Sequence, residues 1–249
     1  MTHTNHRLGD RKSLEGDYVL FTKIENSLSP EQKGRLKPGF KRALEICEKY
    51  DPVLISTELK EPRECGDLDL YKRPDQVLPP DGVRFRARWI KGWSGEEFHS
   101  IVKSRADILS IENPQKYCSV VYDNKESLLK ALTDLKEADL GHSVVVSGIF
   151  EDVFEACERI GTGPHTVNMS AGIWGKTNLL PERKILEITT MCGHGYVSRH
   201  LVEHLISRVK KRKLTKEDAA VELSKQCICN FFNPVRAANL IDKYISSEK

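Results

Sequence analysis

Cysteine, histidine and glycine crowd together in residues 191–195, whose sequence is MCGHG, and a C-x-C pair follows at Cys227 and Cys229. Cysteine thiolates are the main protein ligands of iron–sulfur clusters. The sequence therefore predicts that Cys192, Cys227 and Cys229 are the metal ligands of a [4Fe–4S] cluster. Because only these cysteines serve it, one iron of the cluster stays open.

An open iron acts as a Lewis acid, because its unfilled coordination position can accept a group of the substrate. This chemistry favours an oxygen-sensitive enzyme of the lyase, desulfurase or dehydratase type over simple electron transfer. The predicted substrate is a small anionic metabolite. A C-x-C pair with one remote cysteine is less specific than two C-x-x-C pairs, so other uses of these residues stay open.

Further polar residues that suit this chemistry surround the cysteines in the sequence, mainly in residues 165–176. The predicted substrate-binding side chains are Asn168, Ser170, Lys176 and Arg236, and the predicted catalytic side chains are His165 and His194. Amide and hydroxyl groups would orient the substrate, and the cations would hold its negative charge. An imidazole titrates near neutral pH and can therefore donate or accept a proton.

Zinc is the main alternative to iron, and it would stabilise a binding module without catalysis. Its predicted ligands are Cys192, His194, Cys227 and Cys229. His200 and His204 stand four residues apart and share one face of a predicted helix. At about 100° per residue, both fall outside the apolar arc of that helix. We therefore expect His200 to be exposed and His204 to reach only a boundary site.

A third hypothesis makes Cys192 a nucleophile, with His194 or His165 as its base. Cys192 precedes a predicted helix, and the free N–H groups and dipole of a helix N-terminus lower the pKa of a nearby thiol. This hypothesis gives Cys227 and Cys229 no role beyond a redox pair. The alternative without chemistry is that all three cysteines are packing residues, because free cysteines are commonly buried.

Composition indicates an ordinary globular protein. Of the 249 residues, 39% are hydrophobic and 30% are charged, and the net charge is +3. No apolar run reaches the roughly 20 residues of a membrane span, and the polar N-terminus lacks the core of a signal peptide. We therefore expect a soluble, cytoplasmic protein with no membrane contact. Seven cysteines, an odd number, favour free thiols or ligands over a disulfide framework.

One dense basic cluster, RVKKRKLTK, occupies residues 208–216. Cations are favourable near a helix C-terminus, so we interpret this run as a solvated helix end and turn. The small net charge makes nucleic acid an unfavoured partner. A homo-oligomer is compatible with the sequence, and a small metabolite remains the predicted partner.

Short strands alternate with helices in the middle of the chain, which predicts an α/β fold. The predicted core strands are 118–122, 143–147 and 165–169, with helices at 125–140 and 151–160. This β-α-β-α-β core favours parallel pairing through right-handed crossovers, and a ferredoxin-like sheet is the alternative. The predicted domains are a loop-rich N-terminal α/β region, 1–115, and the core with a helical, cysteine-bearing C-terminal unit, 116–249.

Local signals outside this core predict the remaining elements. Strands are indicated at 17–24, 53–56, 83–93 and 108–111. Residues 181–190 could form a helix or a strand, and their apolar end favours a strand that leads into MCGHG. Helix starts are indicated by Ser29-Pro30, Ser198, Thr215 and Asn233-Pro234, because these residue types suit the cap or the first helical position.

Overall fold

The computed structural model describes residues 7–59, 85–92, 105–112, 114, 117–168, 170, 172–227 and 231–247. The chain forms two compact units, one of residues 1–18 with 147–249 and one of residues 19–146. The predicted division into an N-terminal region, 1–115, that could pack on the core, and the core with its C-terminal unit, 116–249, stays a prediction.

The described strands form one five-stranded sheet. They are β1 Tyr18–Lys23, β2 Leu54–Leu59, β3 Phe85–Ile90, β4 Cys118–Tyr122 and β5 Ser143–Ser147. Their order across the sheet is β3-β2-β4-β1-β5. Strand β2 is antiparallel to both neighbours, and Ile55 lies opposite Trp89 on one side and Val120 on the other. The fold is therefore mixed α/β with an antiparallel sheet.

The prediction of parallel pairing through a β-α-β-α-β core is wrong. Strands β4 and β5 form where predicted, but β1 lies between them in the sheet. Residues 165–168 of the predicted third strand are exposed and belong to no helix or strand, and Met169 lies outside the described residues. Local pattern identified the segments that form β4 and β5. It did not indicate that β1, from a distant part of the sequence, lies between them.

Among the described residues of the unit 19–146, four helices accompany the sheet. They are α2 Pro30–Leu36, α3 Gly39–Glu48, α4 Arg105–Ser110 and α5 Lys125–Ala138. Helices α3 and α5 pack against each other and against β4. The predicted start of α2 is confirmed, because Ser29 and Gln32 form a capping box and Pro30 takes the first position.

The other unit is mainly helical. Its helices are α1 Arg11–Leu14, α6 Phe150–Arg159, α7 Arg183–Thr189, α8 Arg199–Lys210, α9 Lys216–Ser224 and α10 Pro234–Ser246. Helices α7 to α10 pack against one another. The predicted caps of the last two helices are confirmed, since Thr215 accepts from the N–H of Asp218 and Asn233 from that of Arg236.

Two predicted strands are helices. Residues 108–110 of the predicted strand 108–111 belong to α4, and most of the predicted strand 181–190 forms α7. Both segments are short apolar runs, whose periodicity does not distinguish a strand from one or two turns of helix. Among the described residues, no helix is long and apolar enough to cross a membrane.

Candidate functional site

Cys192 and Cys227 converge in the helical unit. Cys192 lies three residues after the end of α7, and Cys227 lies three residues after the end of α9. Both side chains are buried, with exposures of 0% and 2%. Their thiols are hydrogen-bonded to each other. The predicted pairing of the MCGHG turn with the C-x-C segment is thus present for these two cysteines.

The turn that follows Cys192 depends on glycine. Gly193 and Gly195 have φ angles of +76° and +69°. These angles lie in the left-handed region, which residues other than glycine rarely adopt. The turn directs the backbone N–H groups of His194 and Tyr196 at the sulfur of Cys192. It therefore holds a buried sulfur among main-chain donors.

Cys227 has a similar environment. The backbone N–H of Phe231 donates to the Cys227 sulfur across 3.4 Å. Phe231 and Phe232 are both buried, with exposures of 4% and 0%. Each of the two sulfurs therefore accepts at least one backbone N–H in a region from which water is largely excluded.

The predicted lowering of the Cys192 pKa is wrong for the free thiol. The hydrogen bond with Cys227 and burial raise the pKa of the Cys192 thiol, and the N–H groups of Tyr196 and His194 lower it by less. Helix α8 begins only at Arg199, and a helix dipole acts mainly within the first turn. The neutral thiol is therefore the favoured form at neutral pH.

The third predicted ligand, Cys229, lies outside the described residues. Among the described residues, no group of three or more histidine, cysteine, aspartate or glutamate side chains is arranged to hold a metal ion. The described part of the site is therefore the pair Cys192–Cys227.

The histidines predicted for the site are exposed. His194 lies in the turn that follows Cys192, and its ring stacks on that of Tyr196 with 5.4 Å between the ring centroids. His165 lies on an exposed irregular segment. His200 is exposed as expected and pairs with Glu203 on its own helix. His204 is also exposed, so α8 presents neither imidazole to the buried cysteines.

The predicted substrate loop is an exposed segment. Every described side chain from 161 to 180 is exposed, and Trp174 reaches 80%. Ser170 accepts a hydrogen bond from the N–H of Gly172 across 3.1 Å. Within the described chain, the side chains of Asn168 and Lys176 make no hydrogen bond or ion pair. Their predicted roles in substrate binding stay predictions.

Arg236, by contrast, is buried at 4% exposure. Its guanidinium donates to the Leu8 carbonyl at 2.7 Å, to Ser13 Oγ at 3.1 Å and to the Asp17 carboxylate at 2.8 Å. Burial lowers the pKa of Arg236 to about 10, so the group remains cationic at neutral pH. A substrate would have to compete with these bonds.

The sequence analysis did not find the network around Asp17. The Asp17 carboxylate accepts bonds from Arg236 and from Asn233, the latter across 3.0 Å, and it also pairs with Arg7. Asp17 and Arg236 are 219 positions apart, and local pattern carries no signal at that separation. This network fixes the N-terminal segment to the start of α10.

Comparison with protein-family models, with curated proteins and with solved structures finds no match for this chain.

Proposed function

We propose that Cys192, Cys227 and Cys229 hold a [4Fe–4S] cluster with one open iron. The observation that supports it best is the convergence of two buried sulfurs, each with a backbone N–H directed at it. Hydrogen bonds from N–H groups stabilise negative charge on a metal-bound thiolate and tune the cluster. Hydrogen bonds from the same donors to neutral thiols would be weaker than those to thiolates.

The donor types suit such a group, because cysteine thiolates are its usual ligands. Gly195 is itself exposed, and a Cβ atom added there would meet no other atom within 4 Å. Cys229 is two positions from Cys227, close enough to bring its sulfur to the same centre. When bound, the cluster would supply a Lewis-acidic iron.

The chain's own residues have separate roles in this proposal. The N–H groups of His194 and Tyr196 hold the Cys192 sulfur, and the exposed His194 imidazole holds or moves a proton beside it. The polar groups of residues 165–176 bind a small anionic metabolite. The reaction class is that of a lyase, desulfurase or dehydratase.

A ferredoxin-like topology is the finer fold that we propose. The order β2-β4-β1-β5 with helices α3 and α5 in the two crossovers supports it, and β3 extends the sheet beyond β2. In that arrangement the connection between β2 and β4, which includes β3, joins antiparallel neighbours.

Zinc is the second candidate. The proximity of His194 to Cys192 favours it, because an imidazole two positions after a cysteine can complete a Cys3His site. The product would be a zinc-stabilised binding module with no catalysis. It shares the thiolate ligands of the first proposal but requires no sulfide.

Preparation under nitrogen, followed by iron, sulfide and zinc analysis, separates these proposals. We expect a brown protein with about four iron and four sulfide per chain. Stoichiometric zinc with no sulfide would support the zinc module instead. A colourless chain that contains neither metal under these conditions would contradict both.

A further inference from the structure

A pocket of about 400 Å³ lies at the C-terminal end of α8. It is lined by His204, Ser207, Arg208, Lys211 and Lys213. The lining thus contains three cations, an imidazole and a hydroxyl, and it contains no acidic side chain. All five residues belong to the basic cluster of residues 208–216 or to the last turns of α8.

Some other cations of the same unit have carboxylate partners, whereas those of this pocket have none in the described chain. Lys216 pairs with Asp242 at 3.2 Å, and Lys243 pairs with Asp10 at 3.1 Å. In the described part of the chain, no carboxylate pairs with the three cations that line the pocket, Arg208, Lys211 and Lys213. No ion pair of the described chain therefore offsets their mutual repulsion, which the helix dipole and solvent reduce.

The backbone brings these cations around one opening. The N–H of Lys213 donates to the Arg208 carbonyl at 2.9 Å, and that of Arg212 donates to the Val209 carbonyl at 2.9 Å. These bonds form a Schellman turn, whose left-handed position is usually glycine. Here Arg212 occupies it with φ +54°, an unfavourable conformation for a residue with a side chain. The turn places Lys213 back beside Arg208.

We propose that this pocket binds a ligand with several phosphate groups, such as an inorganic oligophosphate or the triphosphate of a nucleotide. Arginine and lysine are the usual side-chain partners of phosphate oxygens, and the Ser207 hydroxyl can donate a further hydrogen bond. A volume of about 400 Å³ is in the range of small-ligand sites. Bound oxyanions would neutralise cations that the chain itself leaves without a carboxylate.

Calorimetric titration of the full chain with sodium tripolyphosphate tests the proposal. The variant Arg208→Gln/Lys211→Gln/Lys213→Gln should bind the probe at least about tenfold more weakly, since it loses three charge-assisted contacts. The matched control is Lys33→Gln/Arg35→Gln/Lys37→Gln, which removes the same charge from the end of α2 in the other unit. The control should retain wild-type affinity, and circular dichroism verifies that both variants fold.

Two further probes distinguish the sources of the phosphate groups. Equal affinity for tripolyphosphate and ATP supports an oligophosphate site, and tighter binding of ATP supports a nucleotide. Citrate, a polycarboxylate without phosphate groups, should bind more weakly than either. The proposal is overturned if the wild type binds no tripolyphosphate at about 1 mM, if citrate binds equally well, or if the control loses as much affinity as the pocket variant. None of these results depends on the cysteine site.

Discussion

Arg236 stabilises the helical unit through a charge pair from which water is excluded. Its guanidinium and the Asp17 carboxylate have side-chain exposures of 4% and 0%. Removing one partner of such a pair leaves the other charged group buried without full compensation. We therefore expect Arg236→Ala to lower the free energy of unfolding by about 3–5 kcal/mol, measured by urea denaturation.

Arg199 provides the control for this substitution. It is exposed at the first position of α8, and in the described chain its side chain makes no ion pair. Arg199→Ala should change the free energy of unfolding by less than about 0.5 kcal/mol. Similar effects of the two substitutions would show that the Arg236 network does not stabilise the fold.

The buried thiol of Cys192 makes the metal-free protein sensitive to alkali. Its pKa is raised from 9.0, chiefly by the hydrogen bond with Cys227 and by burial. The folded state therefore holds this proton more tightly than the unfolded state does. The resulting stability is complete below pH about 9 and is lost as the pH rises toward the folded pKa, by up to about 1.4 kcal/mol per pH unit.

Urea denaturation at several pH values between about 8 and 10.5 measures this effect. Cys192→Ala removes the titrating thiol, so its free energy of unfolding should fall less steeply with pH than that of the wild type. Buried Cys118 also has a raised pKa but is present in both proteins, so the difference between them reports on Cys192 and its contact with Cys227. Identical slopes would contradict the assignment.

The sequence indicated that Cys192 and Cys227 lie together, but it did not indicate the protonation of Cys192. Glycines beside Cys192 and the C-x-C pair were visible as local patterns. The raised pKa of Cys192 depends on the contact with Cys227 and on burial, and both arise from tertiary packing. Likewise, the partners of Arg236 come from the opposite end of the chain.

Among the elements, α8 ends in an unusual way. Arg212 holds the left-handed position of the terminal turn, where glycine has no steric penalty. We expect Arg212→Gly to raise the free energy of unfolding by about 1 kcal/mol. Because Arg212 does not line the pocket of the proposed phosphate site, the substitution should leave tripolyphosphate affinity nearly unchanged.

The neighbouring cap residue offers a matched comparison in thermal or urea denaturation. Lys211 has φ −80°, so glycine relieves no strain there. Lys211→Gly should lower the free energy of unfolding by about 0.5–1 kcal/mol, because glycine gives the unfolded chain more freedom. A stabilising Lys211→Gly, or a destabilising Arg212→Gly, would rule out backbone strain as the cause.

Elements with capping residues were predictable, whereas two of the short segments predicted as strands are helical. Ser29, Thr215 and Asn233 cap their helices as expected, because a cap is a local hydrogen bond. The runs 108–111 and 181–190 have no comparable local signal. We infer that each segment is helical because of its packing within its own unit.

For the whole molecule, the order of the sheet illustrates the same limit of local pattern. Strand β1 inserts between β4 and β5 although it precedes both by about a hundred residues or more. Nothing in the apolar pattern of a strand specifies its neighbour in the sheet, and closing a long connection costs little additional entropy. The positions of the described strands were therefore predictable, while their pairing was not.

The proposed cluster should stabilise the helical unit as a whole. Its ligands follow α7 and α9, so one centre would connect segments that are distant in sequence. A group that binds only the folded state raises the unfolding midpoint. We expect reconstitution with iron and sulfide under nitrogen to raise that midpoint by at least about 5 °C, measured by circular dichroism.

Two variants define this effect. Cys227→Ser should gain no thermal stability on reconstitution, because it lacks one ligand. Cys157→Ser alters a half-buried thiol on α6 outside the proposed site and should gain as much as the wild type. Equal gains in all three proteins would mean that iron binds elsewhere.

The most direct measurement is the iron and sulfide content of proteins purified side by side under nitrogen. The wild type and Cys157→Ser should each contain about four iron and four sulfide per chain. Cys192→Ser, Cys227→Ser and Cys229→Ser should each lose most of both while retaining their helical circular dichroism. An iron-free wild type, or full clusters in all three ligand variants, would contradict the proposal of a three-cysteine cluster.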